Sequence, residues 1–211
     1  MKSNNWLAYA QRLHALAQNG LAYTENEYDK ERYAEIQAIS LEMIANLADV
    51  PVETMIKLIP SDTGYQTPKV DIRAVVVNAN NQLLMVQEKA DQNRWSLPGG
   101  WADVGFTPFE VAEKEVQEET GLTVKATRLL AVFDKKMHPH PAQPWYVYKF
   151  FILCQIARGE LMTDTIETNE ASWINAWDLT SLPLSTDRVT LSQLQQVLQL
   201  SADPLAAAMC D

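Results

Sequence analysis

The chain holds 7 glycines, and four of them, Gly99, Gly100, Gly105 and Gly121, fall in one short stretch. Glycine is used where a backbone turns sharply or comes close to a ligand. Between Gly100 and Leu122 the same stretch carries Asp103, Glu110, Glu113, Glu115, Glu118 and Glu119 against one base, Lys114, a local charge of −5. Thr107 is a good N-cap, Pro108 suits the first helical position, Glu110 completes a capping box and Gly121 is a left-handed stop, so most of these acids belong to one helix. On it Phe109, Ala112 and Val116 form an apolar stripe, and Glu115, Glu118 and Glu119, at i, i+3 and i+4, converge on an adjacent one. Like charges at that spacing cost a bare helix roughly a few tenths of a kcal/mol per pair, which a divalent cation would relieve. Hard oxygen donors suit Mg²⁺ or Mn²⁺. A solvated acidic face would use the same residues. The preceding Pro98-Gly99-Gly100 separates the two readings: it follows a strand-like Trp95-Ser96-Leu97, and strand, glycine turn and carboxylate helix together make a site for metal and phosphate.

The elements that must position this segment change character along the chain. Trp6, Leu7, Ala10, Leu13 and Ala17 recur at helical spacing up to a stop at Gly20. Thr24 and Glu27 have the spacing of a capping box for a second helix, with Ile36, Ile39, Met43 and Leu47 as its stripe. Pro51 opens a short third helix through Leu58, and Pro60–Pro68 reads as a linker. Strands follow. Val70–Val77, a turn at Asn78–Asn81 and Leu83–Gln87 predict a hairpin. Leu122–Phe133 holds one or two strands, Trp145–Ile156 a long one and Ser172–Ile174 a short one. Arg188–Leu200 carries Leu191, Leu194 and Leu198 at helical spacing, and the tail Ser201–Asp211 is expected to fray.

The glycine–glutamate segment resembles the signature of the Nudix hydrolases, G-x5-E-x7-R-E-U-x-E-E-x-G-U with U a bulky apolar residue. It runs here from Gly100 through Lys114-Glu115-Val116-Gln117-Glu118-Glu119-Thr120-Gly121-Leu122 without a gap. Two positions depart from it: Phe106 stands at the first Glu and Lys114 at the Arg, residues that in the family mainly brace loop and helix. Ala17–Leu21, Tyr65–Asp71, Trp95–Trp101 and Phe133–Lys135 resemble a two-domain subgroup described as CDP-choline or ADP-ribose pyrophosphatases. The resemblance implies an α/β fold, a Nudix-type α/β/α sandwich with a mixed sheet over 64–211, preceded by a small helical domain over 1–63. It implies hydrolysis of a nucleoside diphosphate linked to a group X, giving a nucleoside monophosphate and phospho-X. A non-catalytic nucleotide-sugar sensor and a Nudix hydrolase of another nucleotide are the alternatives.

By the same resemblance Glu115, Glu118 and Glu119, with the Gly99 carbonyl, would hold Mg²⁺ or Mn²⁺ against the pyrophosphate oxygens. Glu118 is a candidate base, Glu119 is grouped with it, and Glu167 and Glu170 are either a later-loop catalytic carboxylate or surface acids. Arg73 could pair with a phosphate or be a strand-end surface residue. Lys135, His138 and His140 either hold phosphate or are solvated. Trp95, Trp101, Trp145, Tyr146 and Tyr148 could cage a choline ammonium, stack a base or fill the core.

The whole chain sets bounds on this reading. Its 211 residues are 47% hydrophobic and 21% charged, with 17 Lys and Arg against 27 Asp and Glu, a net charge of −10. That excludes a disordered chain, and no apolar run approaches the ~20 residues of a membrane span. The acidic balance argues against a nucleic-acid partner. Two cysteines, Cys154 and Cys210, make neither a disulfide framework nor a metal cluster. With no basic-then-apolar start, a cytoplasmic location is expected. Three short helices over about 60 residues cannot all bury their apolar stripes alone, which predicts that they pack on the rest of the chain or on a second subunit, giving a homodimer. Half of the −10 lies in the glycine–glutamate segment, which would attract a pyrophosphate once cations filled it.

Overall fold

The computed structural model describes residues 6–58 and 64–211. The chain forms two compact units: residues up to Pro68 with Ala142–Tyr146, and Lys69–Pro141 with Val147–Asp211.

The first unit is a helical hairpin, α1 (Trp6–Tyr23) and α2 (Glu27–Ala48), followed by α3 (Val52–Leu58). Two sequence expectations fail at the hairpin's bend. Helix α1 does not stop at Gly20, because that glycine serves packing: a Cβ there would lie 2.6 Å from the Tyr33 ring of α2. The cap of α2 is Asn26 in place of Thr24. Its side-chain oxygen accepts from the Tyr28 and Asp29 N–H groups, satisfying donors that the first helical turn leaves open. The core here is small, made of Ala10, Ile44, Ala45 and Met55. One buried polar contact crosses between the helices, His14 Nδ1 to Ser40 Oγ at 3.2 Å. Trp6, Tyr9, Leu13, Leu16 and Tyr23 of α1 stay exposed at helical spacing. The linker expected over Pro60–Pro68 lies partly outside the described residues, and Tyr65–Pro68 has no regular structure.

The second unit contains β1 (Lys69–Val76), β2 (Gln82–Glu88), β3 (Arg94–Ser96), α4 (Pro108–Thr120), β4 (Thr123–Asp134), β5 (Val147–Arg158), β6 (Thr168–Asn175), α5 (Leu191–Ala202) and β7 (Met209–Cys210). A four-stranded sheet has the order β1-β5-β4-β7, and a three-stranded one the order β3-β2-β6. In the first, β1 runs parallel to β5, β5 antiparallel to β4, and β4 parallel to β7, so that sheet is mixed. The expected β1–β2 hairpin does not form. The Asn78–Asn81 turn is present, but among the described residues an isolated Val77–Leu83 bridge is what joins the strands before β2 leaves for the other sheet. The burial explains this. Ile72, Ala74, Val76 and Leu84 pack with Val111, Ala112 and Val116 of α4, whereas Val75, Leu83 and Met85 pack with Leu194 and Val197 of α5. Strands buried on both faces lie inside an α/β/α sandwich, which a two-stranded hairpin with a wet face does not provide.

Two further expectations change. Strand β5 begins at Val147, so Trp145 and Tyr146 belong to the loop that clusters with the helical unit. The tail does not fray. Met209 and Cys210 add to the edge of β4, and the Asp211 carboxylate accepts from the Asp134 N–H at 2.8 Å. A sheet edge offers unpaired backbone groups, and this short strand takes some of them.

Candidate active site

The glycine turn is stitched to the free edge of β1. Ile72 N–H donates to the Gly100 carbonyl at 2.8 Å, Ala74 N–H to the Pro98 carbonyl at 2.8 Å and Ala102 N–H to the Val70 carbonyl at 2.9 Å. Gly99 has φ +147°, and a Cβ there would lie 2.0 Å from the Ile72 carbonyl oxygen, so no other residue fits. At Gly100 a Cβ would come within 3.1 Å of Glu115 Oε2. The two glycines thus bring the loop backbone against the carboxylates of α4.

Helix α4 has the caps read from the sequence: Thr107 and Glu110 form the box, and Gly121 closes it in the left-handed region. Its buried face is rotated from the expected one. Val111, Ala112 and Val116 are buried, together with Glu115 and Glu119, while Phe109 is partly exposed. Glu119 accepts the Gly99 N–H at 3.1 Å. Burial, then the nearby Glu88 charge, pushes its carboxyl well above the usual range, and Arg73 only partly offsets this. Burial also raises Glu115, aided by Glu118 and Glu167. Glu118 lies at the rim, its carboxylate on Lys114 Nζ at 2.9 Å.

Glu88, at the end of β2, is the acid that sequence reasoning missed. It is 5% exposed, and burial raises its pKa against the pull of Arg73 and Arg188. Its Oε1 lies 2.9 Å from Arg188 Nε as an ion pair without hydrogen-bond alignment. The available signal was an acid at the end of a strand whose middle, Leu83–Val86, is apolar.

The two later-loop acids are placed differently. Glu167 sits at the tip of a tight turn. Its carbonyl accepts the Lys89 N–H at 3.0 Å, and the next residue, Thr168, donates its hydroxyl to the Glu119 carbonyl at 2.8 Å. Its charge is felt at both Glu88 and Glu115. Glu170 lies within β6, half-buried.

The basic candidates need correction. Arg73 is no surface strand-end residue: it is 5% exposed. Its guanidinium donates to Asp71 Oδ1 at 2.8 Å, Asp71 Oδ2 at 3.2 Å and the Leu97 carbonyl at 3.1 Å, so it braces the strand ahead of the glycine turn. Pairing with phosphate would require breaking bonds already made. Asp71 also holds Lys149, a fully buried residue. Burial would raise the Asp71 carboxyl, but Arg73 and Lys149 outweigh it and hold it low. Lys135 is no solvated residue either. It is 8% exposed, its Nζ lies 3.7 Å from Asp187, and burial lowers its pKa to about 8. His138 packs on Phe133 and contacts Asp211 through Nε2 at 3.0 Å, so it latches the tail. His140 Nδ1 meets the Thr186 carbonyl at 2.6 Å. Among the aromatic residues, Trp95 is in the core, while Trp101, beside the glycine turn, is 49% exposed with Lys69 Nζ 6.0 Å from its ring centroid.

This turn-and-helix constellation on an α/β/α sandwich agrees with the comparisons to known proteins. Residues 67–194 match the NUDIX domain, and residues 4–59 match a domain described as "UDP-X-like, N-terminal oligomerisation domain". The chain belongs to the Nudix hydrolase family, and it is a pyrophosphohydrolase of the two-domain subgroup. It is 43% identical over 199 residues to a Bacillus subtilis (strain 168) protein named "Putative ADP-ribose pyrophosphatase YjhB", covering 94% of this chain and 93% of that one. Among solved structures, an ADP-ribose pyrophosphatase from Streptococcus suis 89-1591 is 36% identical, with TM-score 0.61 over 69% of this chain and 100% of its own. A UDP-X diphosphatase is 30% identical, with TM-score 0.62 and 100% coverage of both chains.

Proposed function

We propose that the protein cleaves the pyrophosphate bond of a nucleoside diphosphate linked to X, with ADP-ribose and CDP-choline the favoured substrates and a UDP-linked compound admitted by the second solved relative. The observation that carries the reading is the convergence of Glu115 and Glu119, both buried, on the Gly99-Gly100 backbone. Two desolvated carboxylates with raised pKa values cost stability, which is the expected signature of a functional site.

Their chemistry fits a divalent cation such as Mg²⁺ or Mn²⁺, since carboxylates are hard oxygen donors. Glu115, Glu118 and Glu119 would hold it with the Gly99 carbonyl. Among the described residues no three Asp, Glu, His or Cys side chains already form a cage, so closing one requires Glu118 to turn from Lys114. Once bound, the cation would neutralise pyrophosphate oxygens and make water a better nucleophile. Glu118 would take the proton from the attacking water. Glu167 is the better-placed second carboxylate, being electrostatically coupled to Glu115, and Glu170 is the weaker candidate. Arg73 acts through Asp71 and the Leu97 carbonyl by holding the turn in place. Lys135 supplies positive charge beside Asp71 and Arg73, and His138 keeps the tail on β4.

The helical unit would make a homodimer. Trp6, Tyr9, Leu13, Leu16 and Tyr23 offer one exposed stripe of α1 for a second copy, and the family matched there is described as an oligomerisation domain. A monomer by light scattering at micromolar concentration would contradict this. No helix among the described residues is long and apolar enough to cross a membrane.

The deciding experiment is a panel of ADP-ribose, CDP-choline, a UDP-sugar, NADH, ADP-glucose and diadenosine polyphosphates, each with Mg²⁺ or Mn²⁺. A strong preference for one linked diphosphate is expected. Equal, slow turnover of all of them would sink the named substrates.

A further inference from the structure

One of the two departures from the Nudix signature, Lys114, puts an ammonium group among three acids. Lys114 Nζ lies 2.9 Å from Glu118 Oε2, 3.6 Å from Glu115 Oε1 and 3.7 Å from Asp103 Oδ2. Two of these acids are the cation ligands proposed above. The third, Asp103, lies on the loop between the glycine turn and α4. Phe106, where the signature has a glutamate, brings no carboxylate, so Asp103 is the loop acid within reach of Lys114.

A lysine behaves differently here from an arginine. Guanidinium is planar and pairs bidentately, which would fix it to one carboxylate. Ammonium is a point charge on a flexible four-carbon stem, and this side chain is 34% exposed. It can exchange one acid for another at small cost, because exposed ion pairs are individually weak. A divalent cation cannot share Glu118 Oε2 with an ammonium at 2.9 Å without strong repulsion.

We propose that Lys114 is a built-in counter-ion that competes with the divalent cation for Glu115 and Glu118, and that Asp103 is the acid that receives the ammonium when the cation binds. The inference rests on the reading of Glu115 and Glu118 as cation ligands. Lys114 and Asp103 are then positioning residues, which act on cation affinity without touching substrate.

The test is Mn²⁺ binding by titration calorimetry without substrate, on wild type, Lys114→Met, Asp103→Asn and the double variant. Lys114→Met should bind Mn²⁺ about 10-fold more tightly, since a competing charge is gone. Asp103→Asn should bind it about 3-fold more weakly, because the ammonium stays on the ligands. The double variant should match Lys114→Met, because Asp103 acts only through the ammonium. Unchanged or weaker binding by Lys114→Met overturns the proposal. So does an Asp103→Asn cost that is equal in both backgrounds, which would make Asp103 an ordinary field charge. Wild type failing to bind Mn²⁺, or binding it equally after Glu118→Gln, would instead refute the ligand reading and the inference with it. Thermal unfolding checks each fold, and Lys114→Gln replaces the Met variant if that one proves unstable.

Discussion

The second unit buries two sets of charges and balances them differently. In the first set, Asp71, Arg73 and Lys149, every charge has an opposite partner: both Asp71 oxygens meet a cation, and the Arg73 donors are satisfied by Asp71 and the Leu97 carbonyl. Glu88, Glu115 and Glu119 do not cancel, and all three are shifted toward the protonated form by burial. The first set is costly to break and does scaffolding: it fixes β1, β5 and the start of the glycine turn. The second is costly to keep, so its retention points to chemistry. A buried charge is therefore read by whether its neighbours neutralise it.

The largest expected effect lies in the surplus set. Glu118→Gln and Glu119→Gln should each lower kcat on the order of 10²- to 10⁴-fold, as expected for lost metal or proton-transfer groups. Glu119→Gln should leave the thermal midpoint unchanged or raised, because a buried like charge disappears. Full turnover by Glu118→Gln would remove it from the mechanism, and a large fall in midpoint for Glu119→Gln would erase the contrast between the two sets.

The balanced set should respond in the opposite way. Asp71→Asn leaves Arg73 and Lys149 buried without their carboxylate and should cost about 3–5 kcal/mol in denaturant unfolding. Lys149→Met should cost less, since Asp71 keeps Arg73. If both cost under about 1 kcal/mol, the cluster is no brace.

The two later-loop acids sharpen the boundary of the surplus set. Glu167→Gln should reduce kcat by about 10-fold or more, while Glu170→Gln should stay within about twofold of wild type. The reverse order, read from steady-state kinetics, would move the site's edge into β6.

The smallest effect is one of pH. Burial lowers the His140 pKa to about 4, against the pull of its bond to Thr186, and Nε2 is enclosed with no hydrogen-bond partner among the described residues. As pH falls below 6.5 the unfolded chain binds a proton that the folded one refuses until about pH 4. The unfolded state then holds more protons, so this contribution to stability is full above that window and is lost as pH falls through it. Urea unfolding at about pH 7 and about pH 5 should show the loss, and His140→Gln should reduce it. An equal acid loss in both proteins would assign it to other groups.

How much was legible beforehand varied with range. The α4 caps, the turn at Asn78–Asn81 and the glycine turn could be read because each depends on a few adjacent residues. Glu115, Glu118 and Glu119 could be grouped for the same reason, since helical spacing sets their directions. Glu88 and Lys149 could not, because each meets a partner from a distant segment, Arg188 for Glu88 and Asp71 for Lys149. Gly20 shows the limit within a helix: the residue type suggested a stop, and Tyr33 of the next helix decided otherwise.

The sequence by itself determined the family, the acidic helix and the glycine turn that faces it. Their signals lie in residue types at fixed local spacing, which backbone geometry converts into direction. Only the tertiary structure decided that β1 and β2 part into different sheets, that Arg73 is consumed by Asp71, that Lys114 lies among Glu118, Glu115 and Asp103, and that the tail pairs with β4. These depend on which distant segments share the interior, and there burial turns an ordinary ionisable side chain into either a brace or a functional group.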